Sequence, residues 1–276
     1  MAPTKADIKL IPSNPDEVMV IRNVTPNIVT CSVPFLRFGK IKIGGRGTIV
    51  RLPNNTLAVF SPVALTPAVQ AEIAKLGGQV RYLAATDIEH HIFLSDWKAA
   101  FPTAKVLGPE GLPEKRAAQK NEHVDFDVVY KAEHCHGNHP SVDAEFDAVF
   151  DIEYVPVHPN KELVVNYRPD KTLIEADLMF NLPATEQYSK TGLDPNSGVF
   201  TKLFGAIQSA HGPATWQKRM LWYGFSSSNR DGFNKSVQRI AGWDFDKIIP
   251  CHGDVIETGG KGVFEKVFEW HLQGKK

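Results

Sequence analysis

Four strand-like apolar runs in this sequence each end on a histidine or a carboxylate, and this recurrence constrains the fold more than any figure of composition. QVRYLAAT runs into Asp87-Ile88-Glu89-His90-His91, EYVPV precedes His158, LIEA precedes Asp177, and IIPC precedes His252. Polar groups just beyond strand ends stand where open α/β sheets bind ligands. Serving one site from such distant positions requires the four strand ends to gather at one edge of layered sheets. The remaining pattern agrees. GTIVRL and TLAVFSP flank the turn signal Pro53-Asn54-Asn55, a hairpin. Thr66 caps a helix opened by Pro67 and stopped by Gly77-Gly78. IFLSDWKAAFP follows as a helix and AKVLG as a strand, and IEYVPVH, ELVVNYR and KTLIEADLMF come after an acidic segment. From Phe200 onward the chain reads helical except for KIIPCHGD. Two strand-rich halves with helices beside each predict an α/β fold, a four-layer αββα sandwich. It is expected as one domain over 1–276, with an aromatic-rich helical portion from about 199 to 276 packing on or over the site.

Composition removes several classes. The 276 residues hold 31 Lys+Arg against 31 Asp+Glu, without the basic surplus that phosphate recognition leaves, so no nucleic-acid partner is expected. No apolar run approaches the ~18 residues of a membrane span, so no membrane partner is expected either. Cys31, Cys135 and Cys251 are too scattered for a disulfide framework, and the start, MAPTKADIKLIPSNPDE, has no apolar signal core. The expectation is a cytoplasmic protein with a small-molecule substrate. Neither a G-x-G-x-x-G nor a P-loop nor a G-x-S-x-G elbow occurs, which disfavours nucleotide cofactors and a serine triad.

The strand-end residues carry the chemistry. In an extended chain Asp87, Glu89 and His91 share one face. With His158, Asp177 and His252 they make six ligands, enough for two metal ions sharing a water. His90 replaces His91 if the following helix starts early. A second histidine group, His134, His136 and His139 with Cys135, is a further candidate for zinc or copper, or for a contribution to the main site. Trp216, Trp222, Tyr223 and Phe225 are candidates for an aromatic substrate wall.

The order of these segments resembles the metallo-β-lactamase-fold superfamily, whose signature is H-x-H-x-D-H after a strand, then His, then Asp, then His. T-D-I-E-H-H occupies the first element, VPVHP the second, LIEADLMF the third and IIPCHGD the last, over about Gly47 to Asp254. The resemblance is to a divergent branch with an altered first motif: Asp87 and Glu89 stand at the histidine positions, His91 at the aspartate and Ile92 at the last histidine. It implies one or two divalent metals on Asp87, Glu89, His91, His158, Asp177 and His252, with catalytic parts for Asp87 and Asp177, the latter bridging if two metals bind. It also implies hydrolysis of an ester, lactone, thioester or phosphate ester by a metal-activated water. Three carboxylates among six ligands shift the expected metal from zinc toward iron or manganese. An O₂-handling iron oxidoreductase, of which some superfamily members are diiron examples, is the runner-up. A catalytically silent ligand-binding descendant is the third reading.

Overall fold

The computed structural model describes residues 14–274, so most of the opening segment read above for a signal core lies outside the described residues. After a one-turn helix α1 (Pro15–Val18), strands β1 (Val20–Thr25) and β2 (Ile28–Val33) lead through a small hairpin, β3 (Leu36–Arg37) and β4 (Ile41–Lys42). The chain continues into β5 (Gly45–Arg51) and β6 (Thr56–Phe60), then α2 (Pro67–Lys75), β7 (Gln79–Ala84) and α3 (Leu94–Ala100). β8 (Lys105–Pro109), α4 (Leu112–Ala118) and β9 (Val128–Tyr130) complete a seven-stranded sheet of order β1-β2-β5-β6-β7-β8-β9. Its hairpin half is antiparallel, and from β6 to β9 it is parallel because helices supply the crossovers. The α2 start follows the sequence signal: the Thr66 side chain accepts the Val69 N–H ahead of Pro67.

A second sheet has the order β10-β11-β12-β13. Following α5 (Ala144–Asp147), β10 (Phe150–Val155), β11 (Glu162–Tyr167) and β12 (Thr172–Glu175) form an antiparallel meander. Helices α6 (Thr185–Tyr188), α7 (Val199–Ile207), α8 (Thr215–Met220) and α9 (Arg230–Ala241) intervene before β13 (Lys247–Pro250) joins β12 in parallel. The chain ends in α10 (Gly260–Val267) and α11 (Glu269–Gln273).

Period-two alternation with both faces buried sets the layers. Leu57 and Val59 of β6 pack with Val69, Ile73 and Trp97 beneath α2 and α3, while Ala58 and Phe60 enter the core between the sheets. That central core joins Tyr82 to Phe150, Tyr154, Tyr167 and Ile249 of the opposite sheet. On its far side Val164, Leu173 and Ile248 pack against Phe233, Val237 and Phe264 of α9 and α10. Helix, sheet, sheet and helix therefore stack in the predicted four-layer order. Most C-terminal helical aromatics cover the outer face of the second sheet.

Register then delivers the site. Glu175 pairs with Pro250 across β12 and β13, so Asp177 and His252 each lie two residues beyond a matched pair at the same sheet edge. From the first sheet, the loop after β7 is tied to the second by Leu163 N–H to Thr86 O at 2.6 Å and Ile88 N–H to Asn160 O at 3.0 Å.

His271 on α11 is buried against Trp222 and Phe233, with Nδ1 2.7 Å from Asn234 Oδ1. Burial, then Arg230, pulls its pKa down to about 4. Because the unfolded chain binds this proton near the ordinary 6.5, stability present above pH 6.5 is lost as pH falls toward 4. Urea unfolding of wild type and His271→Phe at pH 7 and pH 5 should show the wild type losing about 2 kcal/mol more than the variant.

Candidate metal centre

Beyond β7 the backbone turns instead of continuing extended. Asp87 Oδ1 accepts the N–H groups of both Glu89 and His90 at 2.7 Å, bending the segment as Asp side chains do in turns. The shared face expected for Asp87, Glu89 and His91 is therefore lost, and His90 swings into the site. Glu89 points outward to Lys115, with Oε1 2.6 Å from Nζ. His91 is buried with Nδ1 3.2 Å from the Arg116 guanidinium, and burial, Arg116 and Lys115 pull it down to about 4. Neither Glu89, which only borders the cavity, nor His91 stands in the candidate group of His90, Asp177 and His252, contrary to the expectation for both. A local side-chain hydrogen bond outweighs strand periodicity there.

The atoms that converge are His90 Nε2, His252 Nε2 and one Asp177 oxygen, all within 4.8 Å of one another. His252 Nε2 lies 3.1 Å from His90 Nε2 and 3.0 Å from Asp177 Oδ1. On the far side of each ring a partner fixes the tautomer: His90 Nδ1 faces Asp87 Oδ1 at 2.9 Å, and His252 Nδ1 faces Gly44 O at 2.7 Å. With the ring protons on Nδ1, both Nε2 lone pairs and the Asp177 Oδ1 lone pairs point at each other. Such a set repels itself unless a cation or an extra proton stands between, so the donors fit a metal ion. Burial opposes protonation of His90, yet Asp87 and then Asp177 outweigh it and raise the ring to about 9. Burial likewise works against ionising Asp177, but His252 and His90 hold it well below the usual carboxylate range. Asn160 Nδ2 donates to Asp177 Oδ2, leaving one Asp177 oxygen facing the cluster. Asp87 is thus placed behind His90 as its orienting carboxylate, the arrangement that fixes metal-binding histidines in general.

His158 stands beside this group without joining the three. Its Nδ1 accepts the Asn160 N–H at 3.3 Å, which puts the proton of the neutral ring on the buried Nε2. Burial lowers this ring to about 4, so it is neutral at pH 7. Phe225 meets it edge-on at 4.8 Å between ring centroids.

Residues outside the sequence reading hold these loops. Arg46, wholly buried, donates from one nitrogen to Pro250 O at 2.6 Å and Gly253 O at 2.7 Å, clamping the backbone on both sides of His252. Glu186 and Ser32 occupy the rest of its guanidinium. Gln187 donates to Cys251 O and accepts the Gly253 N–H. Gly253 has φ +90°, and a Cβ there would stand 2.1 Å from Asn181 O, so only glycine fits. Glu162, opening the apolar β11, accepts the Ala176 and Asp177 N–H groups. Burial, then Asp87 and Glu175, pushes its carboxyl well above the usual range. A charged residue inside an apolar strand was the signal available for Glu162; Gly44-Gly45-Arg46-Gly47 offered one for Arg46.

His90, Asp177 and His252 reach a cavity of about 310 Å³. Its walls include Phe35, Phe38, Ile43, Val63, Ile92 and Phe93, most of them from the hairpin and its flanks and from the approach to α3. That replaces the wall expected from Trp216, Trp222, Tyr223 and Phe225. Trp216 and Tyr223 are exposed, Trp222 packs on Trp270 and His271, and Phe225 meets His158. Sequence aromaticity marked helices that cover the second sheet, whereas the cavity opens at the strand ends. The histidine group also disperses. His134 Nδ1 accepts the Lys131 N–H, His136 Nε2 faces Gly232 O, and His139 Nδ1 faces Pro140 O. Among the described residues, His90, Asp177 and His252 form the one group of three suited to a metal.

Comparison with known proteins agrees with this architecture. A mono-zinc form of the metallo-β-lactamase FIM-1 from Pseudomonas aeruginosa is 12% identical, covers 92% of this chain and 94% of its own, and superposes with a TM-score of 0.54. The DIM-1 metallo-β-lactamase exposed to ceftazidime is 13% identical over 93% of this chain and 98% of its own, with a TM-score of 0.58. The chain has the metallo-β-lactamase fold. A flavo di-iron protein variant from Thermotoga maritima shares that fold at 10% identity, covering 92% of this chain and 62% of its own, with a TM-score of 0.56. Residues 37–111 match a family model described as a domain of unknown function, DUF4336. No curated protein sequence matches the chain.

Zinc titration by calorimetry should separate the two sets of candidates. His90→Ala, Asp177→Ala and His252→Ala should each abolish stoichiometric binding, and Glu89→Ala and His91→Ala should retain it. Asp87→Asn should weaken affinity by about 10- to 100-fold, as for other groups that orient metal-binding histidines. Zinc must also displace the His90 proton below pH 9, so affinity should fall by about tenfold for each unit of acidification from pH 8 to pH 6.

Proposed function

We propose that this protein is a metal-dependent hydrolase of a small, partly apolar ester, lactone, thioester or phosphate ester, working with one divalent cation, zinc, on His90, Asp177 and His252. The observation that carries the reading is the convergence of three donor atoms at an apolar cavity, with both rings oriented from behind by Asp87 and Gly44. Two histidines and a carboxylate form a ligand set that catalytic zinc sites use while keeping a position open. The mono-zinc form of the Pseudomonas aeruginosa relative supports a single ion on this fold.

Bound there, the cation would supply Lewis acidity, acidifying a water and polarising the scissile carbonyl or phosphoryl group. The chain's own residues do the rest. Asp87 and the Gly44 carbonyl keep both Nε2 atoms aimed forward, and Asn160 keeps one Asp177 oxygen turned toward them. Phenylalanine and isoleucine walls seat the apolar part of the substrate and thin out water around the charges, which strengthens every interaction at the cluster.

A single iron is the second reading. Two histidines and one carboxylate also suit non-haem iron, and the Thermotoga maritima flavo di-iron relative shares the fold. Protein purified without added metal distinguishes the two by elemental analysis. Zinc near one equivalent is expected, with hydrolysis of p-nitrophenyl acyl esters or bis-p-nitrophenyl phosphate that chelation removes and zinc restores. Asp177→Ala and His252→Ala should cost about a hundredfold or more in kcat/KM. Iron with a visible band would favour the oxidoreductase, and protein that binds neither metal would sink both readings in favour of a silent binding protein.

A further inference from the structure

The hairpin that walls the cavity also borders an unusual surface. Phe38 sits at its tip between β3 and β4 with 79% of its surface exposed. There it and Gly39 both have positive φ, 54° and 69°, in the three-residue connection left between the paired Arg37 and Ile41. Phenylalanine is a costly choice for a left-handed position, where asparagine or glycine fits without strain. Beside it lies α7, anchored through Thr201, whose hydroxyl accepts the Lys42 N–H at 3.2 Å. Its outer side carries Val199, Phe200 and Leu203 at 80%, 59% and 61% exposure. Lys40 reaches from the hairpin to within 6.0 Å of the Phe200 ring centre, making the two elements one surface.

Within the hairpin and α7 themselves the charge has a single sign, with Asp194 and Glu89 standing at the margins. Segments 36–42 and 199–207 contain Arg37, Lys40, Lys42 and Lys202 and no Asp or Glu, although the whole chain is neutral. Lys42 is tied to the Asp194 and Ser197 carbonyls, while Lys40 and Lys202 are exposed at the rim. Large apolar side chains bare to solvent and ringed by cations match an anionic bilayer surface: the apolar groups enter the headgroup boundary and the lysines meet lipid phosphates. No helix among the described residues is long and apolar enough to cross a membrane, so the contact would lie on the lipid rather than span it.

We infer that Phe38, Val199, Phe200 and Leu203, flanked by Arg37, Lys40 and Lys202, form a docking surface for anionic phospholipid membranes beside the mouth of the cavity. Arg37 and Phe38 belong to both the surface and the cavity lining, so docking turns the mouth toward the lipid. The attachment needs no metal and stands independently of the hydrolase reading.

Co-sedimentation of the full chain with vesicles tests it. Wild type should pellet with phosphatidylglycerol/phosphatidylcholine vesicles, poorly with phosphatidylcholine alone, and less in high salt. The pair Lys40→Gln/Lys202→Gln should lower the partition coefficient by about 25-fold, each cation near an anionic surface contributing about fivefold. Phe200→Ser/Leu203→Ser should abolish pelleting with an unchanged circular dichroism spectrum, and Lys75→Gln on α2, outside the surface, should pellet as wild type. Wild type that does not pellet, or pelleting unchanged in both double variants, would overturn the assignment. A dimer that the serine pair converts to monomer, without vesicle binding, would instead make this face an interface between copies of the chain and equally overturn it.

Discussion

Arg46 holds the site together by standing where no side chain charge ought to be stable alone. Its guanidinium is buried between the two sheets, and a buried cation is tolerated only with dense compensation. Here the carbonyls of Pro250 and Gly253, the Ser32 hydroxyl and the Glu186 carboxylate supply it. The same bonds fix the loop that carries His252, while the Gly44 carbonyl, two residues before Arg46, orients the His252 ring. Removing this cation would strand several buried acceptors at once, and both the second sheet edge and the candidate metal centre would lose their reference point.

Around that clamp the centre is assembled from two kinds of constraint. Parallel register between β12 and β13 sets Asp177 and His252 side by side, with an accuracy that loops alone rarely give. The third donor arrives by a turn: Asp87 bends its own loop through two backbone N–H groups and then holds the His90 ring. One carboxylate thus makes both the local fold and the ring orientation. Electrostatics follow from this crowding: Asp87 and Asp177 act on both rings, outweighing burial at His90, while at His158 burial wins and lowers the ring.

Much of the architecture was legible in the sequence. Alternating apolar runs, the Thr66-Pro67 helix start and the hairpin at Pro53-Asn54-Asn55 are local signals, and each local preference agrees with the final sandwich. Asp177 and His252 were legible for the same reason, each following an apolar strand by one or two residues. Strand periodicity failed at Glu89 and His91 because Asp87 captures the backbone there. Aromatic content misdirected the substrate wall because Trp216, Trp222 and Tyr223 report helix packing and exposure, while the cavity draws on a hairpin two residues long in each strand. The glycines around Arg46 hint at a special backbone but not at its partners, and Gln187 had no local signal, since both act on carbonyls more than 60 residues away in sequence.

By itself the sequence determined the layered sandwich, the strand ends as the seat of chemistry, and Asp177 and His252 as partners, because these rest on short-range periodicity and on residues adjacent to strands. Tertiary structure alone decided that His90 joins Asp177 and His252 in the candidate group, that His158 stands aside from it, and that the cavity is walled from the N-terminal half. Side-chain direction in a turn, and contact between segments that the chain separates widely, depend on three-dimensional closure. No spacing in the chain encodes either.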